Sequence, residues 1–209
     1  MLKKQQTSHQ GSFEDVFIVR PDNEKGQDVS EQRENRRVRM TKRLMKDALM
    51  ELLEQEELVD ISVTAICEAA DVNRSTFYKY YRDPVDLLRD LEQDYLDQIP
   101  IPPSDFELWD EEQLLVETTT FFDFVRQNER AFRVLLGDST SNGFAARLID
   151  FLCIKYARPD ESDVAAHFVN LYIANGTVGM LREWVNSGFP VSSRTIAEMM
   201  YFFSVKVSQ

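Results

Sequence analysis

Five polar side chains in one short segment could bind nucleic acid. An arginine, a lysine and three hydroxyl groups occur together at Arg74, Ser75, Thr76, Tyr78 and Lys79. No acidic residue lies between Arg74 and Arg82, so the segment carries no charge that would repel phosphate. Groups of this kind donate hydrogen bonds to phosphate oxygens and to base edges. The alternative interpretation is a solvated surface of a small helical domain.

Two short helices joined by a tight turn are expected to position these donors. The first helix has apolar residues at three- and four-residue spacing, namely Val63, Ile66, Cys67 and Ala70. Asp71 and Asn73 interrupt this pattern, and both residue types tolerate the left-handed backbone of a tight turn. Asn73 can also cap a second helix, whose buried side would carry Phe77, Tyr80 and Tyr81. This arrangement is the helix-turn-helix plan for entering a DNA major groove.

The run from Thr41 to Leu91 resembles the DNA-binding domain of the TetR/AcrR family of transcriptional regulators. An amphipathic helix over 41–53 is followed by ISVTAICEAADVNRSTFYKYYRDPVDLLRDL, with the TFY triplet and its following aromatic residues in register. Asp71 replaces the usual glycine of the family, and Pro84 lies near a position where members often have a Lys or Ser that contacts phosphate. The resemblance implies an all-α fold, with an N-terminal three-helix helix-turn-helix DNA-binding domain and a C-terminal helical ligand-binding and dimerisation domain.

The resemblance also implies which residues contact DNA. It places Thr76, Tyr78 and Lys79 on the recognition helix, where their donors would meet base edges. The residues expected to position the phosphates or to complete the contact are Arg39, Ser62, Thr64, Asn73, Arg74, Ser75 and Tyr80. The expected partner is therefore double-stranded operator DNA.

The whole-chain charge of −12 does not exclude DNA binding, because the charge is unevenly distributed. Residues 33–46 hold 7 basic groups and 1 acidic group, and most of the acidic excess lies beyond residue 82. Screening limits the attraction of phosphate to about 8 Å at physiological salt. A basic segment beside the helix-turn-helix can therefore bind DNA although the rest of the chain is acidic.

Composition and periodicity divide the chain into three expected regions. Residues 1–34 are polar and lack helical periodicity, so they are predicted to be a disordered tail. Residues 35–82 are predicted to form the helix-turn-helix domain, and residues 83–209 the regulatory and dimerisation domain. Helices are expected at about 36–53, 84–98, 110–125, 129–136, 143–157, 162–186 and 193–205, and no segment alternates with the period of a strand.

The last two expected helices have the features of a dimer interface. Glycine within a helix costs about 1 kcal/mol relative to alanine, so Gly176 and Gly179 suggest a close approach of another backbone or a ligand. Irregular core packing is the alternative. The resemblance implies a homodimer through a four-helix bundle built from two copies. The candidate interface residues are Gly176, Gly179, Trp184, Met199, Phe202 and Phe203.

The resemblance further implies an apolar pocket for a small effector in the C-terminal domain. Its candidate lining residues are Phe121, Phe122, Phe124, Phe132, Phe144, Phe168, Tyr172 and Met180. Aromatic residues at helical spacing are also typical of an ordinary core, which is the alternative. The closing pattern IANGTVGMLREWVNSGFPVSSRTIAEMM is similar to a subgroup of regulators that includes activators of dihydroxyacetone kinase operons.

Other classes of protein find little support in the sequence. No Ser/His/Asp, Cys/His, paired-carboxylate, P-loop or GxGxxG arrangement occurs in a fitting context, so an enzyme is not expected. No cofactor or metal is expected, because the two histidines and two cysteines lack metal-ligand spacing. Cys67 and Cys153 are predicted to be free thiols in a reducing cytoplasm. The chain has no apolar run long enough for a signal peptide or a membrane span, so no membrane partner is expected.

Taken with these patterns, the resemblance implies a dimeric repressor that a small effector releases from DNA. The alternative is a transcriptional activator or co-regulator that is controlled by a protein partner. In the family, the helix expected over 84–98 joins the DNA-binding domain to the regulatory domain. It is therefore the segment expected to transmit the effector's signal.

Overall fold

The computed structural model describes residues 24–100, 110–137, 143–155 and 164–207. Every regular element in these ranges is a helix, which confirms the all-α prediction. The N-terminal helices are α1 (Glu24–Leu53), α2 (Val63–Ala69), α3 (Arg74–Tyr80) and α4 (Pro84–Gln98). The later helices are α5 (Glu111–Gln127), α6 (Glu129–Leu135), α7 (Gly143–Lys155), α8 (Val164–Asn186) and α9 (Ser193–Val207).

The first helix begins earlier than expected. α1 starts at Glu24, whereas the sequence predicted that this helix begins at about residue 36. Glutamate, glutamine and arginine predominate over 24–39 and favour a helix, whereas Gly26 is a poor helix former. Adding turns to an existing helix avoids the costly nucleation step. Residues 1–23, the rest of the predicted tail, lie outside the described residues.

The chain divides into two compact units, residues 1–39 and residues 40–209. Within the second unit, helices α1 to α4 share a small apolar core. Its fully buried members are Met45, Leu49, Ile66, Phe77 and Leu87, which come from all four helices. The predicted boundary between residues 82 and 83 stays a prediction.

Polar caps fix the first turns of α4 and α5. The Asp86 amide donates to Asp83 Oδ1 at 2.8 Å, and Pro84 occupies the first helical position of α4. At α5, the Gln113 amide donates to Asp110 Oδ1 at 2.9 Å, while Gln113 Oε1 accepts from the Asp110 amide at 3.0 Å. This reciprocal capping box satisfies two amides that a helix terminus otherwise leaves without partners.

Helices α5 to α9 are built around aromatic rings. α5 packs against α9, and α7 packs against α8. The rings of Phe122 and Trp184 meet edge to face with centroids 5.4 Å apart, and those of Phe132 and Phe144 meet at 5.9 Å. Such pairs add about 0.5–1.5 kcal/mol each beyond the burial of their surface. Tyr95 of α4 also contacts Phe132 at a centroid distance of 6.1 Å, so α4 reaches this core.

Candidate nucleic-acid interface

A tight turn without glycine connects α2 to α3. Asp71 adopts a left-handed backbone with φ of 51°, as its residue type allows. The Val72 amide donates to the Cys67 carbonyl at 3.0 Å and closes the turn. The prediction that Asp71 serves in this turn is therefore confirmed, although the resembling family usually has glycine there. Asparagine and aspartate are the residues other than glycine that enter this conformation most readily.

Side-chain oxygens cap both helices of the motif. The Ala65 amide donates to Ser62 Oγ at 3.1 Å at the start of α2. At the start of α3, Asn73 Oδ1 accepts from the Thr76 amide at 2.9 Å, which confirms the predicted cap. The same oxygen accepts from Ser75 Oγ at 2.5 Å and Thr76 Oγ1 at 2.9 Å. Three donors therefore converge on one amide oxygen and fix the N-terminal end of α3.

The two sides of α3 differ in chemistry as the sequence predicts. Phe77 is fully buried, and its ring packs against those of Tyr78 and Tyr81 at centroid distances of 5.7 and 5.8 Å. Tyr78 is 52% exposed. Lys79 is also exposed, and its Nζ lies 5.4 Å from the centroid of the half-buried Tyr80 ring. The helix thus presents a cation and a phenol together on its outer side.

The other predicted DNA-contacting residues lie on α3, at the start of α2 and in the separate N-terminal unit. Arg74 and Ser75 are exposed, and Thr76 is half-buried. Ser62 and Thr64 are exposed at the start of α2. Arg39 is exposed and belongs to the separate unit formed by residues 1–39. Within residues 40–209, the structure therefore groups the predicted residues on α3 and at the start of α2.

A polar network behind α3 was not predicted from the sequence. The Tyr81 hydroxyl, just beyond α3, donates to Asp90 Oδ2 of α4 at 2.6 Å. Lys42 and Lys46 of α1 place their Nζ atoms 3.3 and 3.1 Å from the same oxygen. Lys46 Nζ also lies 2.5 Å from Asp94 Oδ2. One carboxylate oxygen on α4 therefore joins α1 to the end of α3.

This network shifts the pKa values of its members. Burial raises the pKa of Asp90, but hydrogen bonds from Tyr81 and Lys46 outweigh burial and hold that pKa below its usual range. Burial and the bond to Asp90 raise the pKa of Tyr81. At neutral pH, Asp90 is therefore a carboxylate and Tyr81 a phenol. A tyrosine at a core position was the one signal for the network, because a buried hydroxyl needs a partner.

A buried carboxylate, that of Glu92, joins α4 to α7. Glu92 is only 3% exposed and forms an ion pair with Arg147 of α7. Arg147 also donates to Gln93 Oε1 at 3.1 Å and to the Arg89 carbonyl at 3.4 Å. Burial raises the pKa of Glu92 and outweighs the opposing effect of Arg147. α4 is thus tied to α7 on one side and to α1 and α3 on the other.

The predicted effector-pocket residues separate into three groups. Four rings are buried in the core, namely Phe121, Phe122, Phe132 and Phe144. Phe124 and Met180 are half-buried and pack against that core. Phe168 and Tyr172 are 63% and 65% exposed on α8. The structure therefore groups most of the predicted lining residues around one aromatic core and places the last two on an outer surface.

The predicted dimer residues are exposed, with one exception. Met199, Phe202 and Phe203 of α9 are exposed. Gly176 and Gly179 are exposed on α8, and a side-chain carbon built on either would meet no atom within 4 Å beyond the adjoining helix backbone. The exception is Trp184, which is 2% exposed. Its indole N–H donates to the Val191 carbonyl of the same chain at 3.0 Å.

The described residues contain no group of three or more His, Cys, Asp or Glu side chains that could hold a metal ion. Cys67 is buried and Cys153 half-buried, and the two do not form a disulfide.

Comparison with known proteins supports the fold. Residues 116–204 match the family model TetR_C_8, a transcriptional regulator C-terminal region. A comparison with curated protein sequences gave no match. The structure is similar to a TetR transcriptional regulator from Streptococcus agalactiae, with a TM-score of 0.64 and 18% identity, covering 83% of this chain and 98% of that one.

Two further solved structures have a similar fold. One is the dihydroxyacetone kinase operon activator DhaS, with a TM-score of 0.56 and 18% identity, covering 79% of this chain and 94% of that one. The other is the fatty acid degradation regulator FadR from Bacillus halodurans, with a TM-score of 0.52 and 16% identity, covering 78% and 94%. At these identities the similarity establishes a shared fold.

Proposed function

We propose that this chain, a transcriptional regulator of the TetR/AcrR family, is a repressor that binds operator DNA as a homodimer and is released by a small effector. Members of this family regulate transcription and are not enzymes. The observation that carries the proposal is the outer side of α3, where Tyr78 and Lys79 are exposed while Phe77 anchors the helix. A short helix with a buried inner side and an outer row of donors fits a major groove.

The residues of α3 and α2 divide into two proposed roles. Thr76, Tyr78 and Lys79 project from one helix and would contact base edges. Ser62 and Thr64 are exposed at the N-terminal end of α2, where helix amides and hydroxyl groups together favour phosphate. Arg74 interacts with Tyr78, which raises the pKa of its guanidinium. Like any arginine, it is a cation at neutral pH and can pair with a phosphate.

Exposed apolar side chains on α8 and α9 support a homodimer. Phe168, Tyr172, Phe202 and Phe203 are each more than half exposed. Among the described helices, α8 alone is long and apolar enough to match a membrane span by length and composition, and 22% of that stretch is buried in one copy. Apolar surface of this kind marks a contact surface. A second copy would cover it in a symmetric interface and hold two recognition helices at a fixed spacing.

The proposed effector acts through α4. Tyr95 of α4 touches Phe132 in the aromatic core, and Glu92 of α4 pairs with Arg147 of α7. A ligand that enters the aromatic core can release DNA only if it prefers the conformation that is wrongly spaced for the operator. A coupling of about 1–3 kcal/mol, roughly 5- to 150-fold in affinity, is typical of such control.

Selection from a random-sequence duplex library tests the DNA-binding part of the proposal. We expect the full chain to enrich an inverted repeat whose half-sites lie about one helical turn, or a multiple of it, apart. Sedimentation at micromolar concentration should give a dimer. Failure to enrich any sequence would overturn the proposal.

In vitro transcription then tests the sign of regulation. With the selected repeat placed over a promoter, we expect the protein alone to reduce transcript formation. An increase in transcript would favour the alternative of an activator, which is the printed role of the structurally similar DhaS. An effect that requires a second protein would favour a co-regulator controlled by a partner.

A further inference from the structure

We propose that Asp90 is a positioning residue for operator binding, which holds the C-terminal end of the recognition helix α3 from α4 without contacting DNA. This inference rests on the proposed function. It concerns the network of Lys42, Lys46, Tyr81, Asp90 and Asp94, which lies behind the exposed side of α3.

The recognition helix needs support at its C-terminal end. α3 has 7 residues, which is too short for a helix to be stable by itself. Asn73 fixes its first turn, but after Tyr80 the backbone leaves the helix, with Tyr81 in an extended conformation. Tyr81 is 4% exposed, and its hydroxyl donates to Asp90 Oδ2 at 2.6 Å. A short bond from a hydroxyl to a carboxylate is among the stronger hydrogen bonds in proteins.

The carboxylate of Asp90 is itself held from a third element. Lys46 of α1 is 8% exposed, and its Nζ donates to the Asp90 backbone oxygen at 3.1 Å and to Asp94 Oδ2 at 2.5 Å. Lys42 lies 3.3 Å from Asp90 Oδ2, and its Nζ stands 5.2 Å from the centroid of the Tyr81 ring. A buried ammonium group is costly unless it is paired, so these contacts define one arrangement of α1, α4 and Tyr81.

Position matters for this end of α3 because the DNA-facing residues are adjacent to it. Tyr78 and Lys79 precede Tyr81 by three and two residues and are exposed, whereas Tyr81 and Lys46 are buried and cannot reach a phosphate. A binding site must hold its groups within about 0.5 Å of the productive geometry. Loss of the Tyr81–Asp90 bond would therefore loosen the base-reading groups without removing any of them.

A matched control lies one turn earlier on α4. Asp86 accepts from the Arg82 amide at 3.1 Å and pairs with the Arg82 guanidinium at 3.3 Å, but this guanidinium is exposed. Asp86→Asn and Asp90→Asn remove the same charge from the same helix. On electrostatics alone, both changes should strengthen binding to a polyanion. The inference instead requires Asp90→Asn to weaken binding to the operator.

The experiment measures binding to the duplex that the wild-type chain selects and to an unrelated duplex, at several salt concentrations. We expect Tyr81→Phe and Asp90→Asn each to lower operator affinity about three- to tenfold. This is less than the full value of a hydrogen bond to a charged group, because only part of the lost energy would affect DNA binding. For Tyr81→Phe, the affinity for unrelated DNA and the salt dependence should be unchanged, because no phosphate contact is lost. The double variant should bind the operator no more weakly than the weaker-binding of the two single variants. Both changes break the same hydrogen bond between Tyr81 and Asp90, so their effects should not add. Asp86→Asn should bind the operator at least as well as the wild type.

Three outcomes overturn the inference. They are wild-type operator affinity in Tyr81→Phe, multiplicative effects in the double variant, and equal gains in affinity from Asp86→Asn and Asp90→Asn. Tyr81→Phe keeps the buried ring, so it decides the question even if Asp90→Asn does not fold. If the wild-type chain selects no duplex at all, the proposed function fails and the inference fails with it. Selection by the wild type with no loss in Tyr81→Phe overturns the inference alone.

Discussion

The outer side of α3 and the exposed surface of α8 and α9 are both uncovered in one copy of the chain, yet their chemistry is opposite. α3 presents Tyr78 and Lys79, whose polar groups can donate hydrogen bonds. The other surface presents Phe168, Phe202 and Phe203, which can offer only apolar contact. Hydrogen-bond donors suit phosphates and base edges, whereas exposed aromatic rings suit a protein surface of the same kind. The two surfaces therefore call for two different partners.

The two surfaces are also supported differently. Polar groups hold α3, since Asn73 caps one end and the bond between Tyr81 and Asp90 fixes the other. Apolar packing holds α8, since Trp184 sits between Phe122 and Phe189 at centroid distances of 5.4 and 4.6 Å. Hydrogen bonds fix direction, which the proposed base-reading role of α3 requires. Packed rings supply stability, which the proposed interface role of α8 requires.

A charge placed on the apolar surface should have the largest effect. We expect Phe202→Asp to give a monomer, because an unpaired carboxylate in an apolar interface is strongly unfavourable. Operator affinity should fall by about two orders of magnitude or more, since the second recognition helix no longer binds at high effective concentration. Gly176→Leu should also separate the two copies. Within one copy the leucine side chain has free space, so it would obstruct only the approach of the second copy. Sedimentation and operator binding measure both effects.

Ile154→Asp is the control for this prediction. Ile154 is an apolar residue of α7 that is 73% exposed, outside the predicted interface. This variant should remain dimeric and should bind the operator as the wild type does. A monomeric wild type, or dimers that survive both Phe202→Asp and Gly176→Leu, would contradict the assignment of this surface.

Removing a cation from the polar surface should have the next largest effect. Lys79→Ala should weaken operator binding roughly tenfold, and it should lower the slope of log affinity against log salt by about one, as for a lost phosphate contact. Lys155→Ala, at an exposed lysine of α7, should change neither quantity. If Lys79→Ala binds with unchanged affinity and slope, α3 does not enter DNA in the proposed way.

What the sequence could predict depends on how local the signals along the chain are. The helix-turn-helix was predictable because its signals are local: Asp71 in the turn, Asn73 as the cap and Phe77 on the inner side are all confirmed. The Asp90 network was not predictable, because its partners lie up to 48 positions apart along the chain and meet only through packing. Tyr81 shows the limit, since its spacing predicts burial but does not identify the group that accepts its hydroxyl.

In helices α5 to α9, sequence periodicity identified the helices but did not distinguish core residues from surface residues. Phe122 and Phe168 both follow helical spacing, yet one is fully buried and the other is 63% exposed. A helix that is apolar on most of its circumference gives no phase that marks its inner side. The N-terminal limit of α1 was missed for a related reason, since polar helix formers carry no apolar periodicity to count.

Removing a helix N-cap should have a smaller effect on operator binding, and that effect should differ between α3 and α5. Asn73→Ala and Asp110→Ala should each lower the free energy of unfolding by about 1 kcal/mol, as is typical of a lost N-cap. Only Asn73→Ala should also weaken operator binding, because Asn73 fixes α3 whereas Asp110 caps α5. Urea unfolding and operator titration would measure the two effects. An equal loss of operator affinity in both variants would mean that stability alone controls binding.

The smallest expected effect is a difference in pH dependence between the two α4 carboxylates. The pKa of Asp90 in the folded chain lies below its unfolded value, so its stabilising contribution is complete above the ordinary carboxyl range and is lost as the pH falls through that range. The pKa of Glu92 lies above its unfolded value, so ionisation of Glu92 destabilises the folded chain as the pH rises through the corresponding window. Urea unfolding from about pH 3 to pH 7 should reveal both, since that range spans carboxyl titration. Relative to Asp90→Asn, the wild type should gain stability as the pH rises, and relative to Glu92→Gln it should lose stability. If the stability difference between the wild type and each variant changed with pH in the same direction, the opposite pKa shifts of Asp90 and Glu92 would be contradicted.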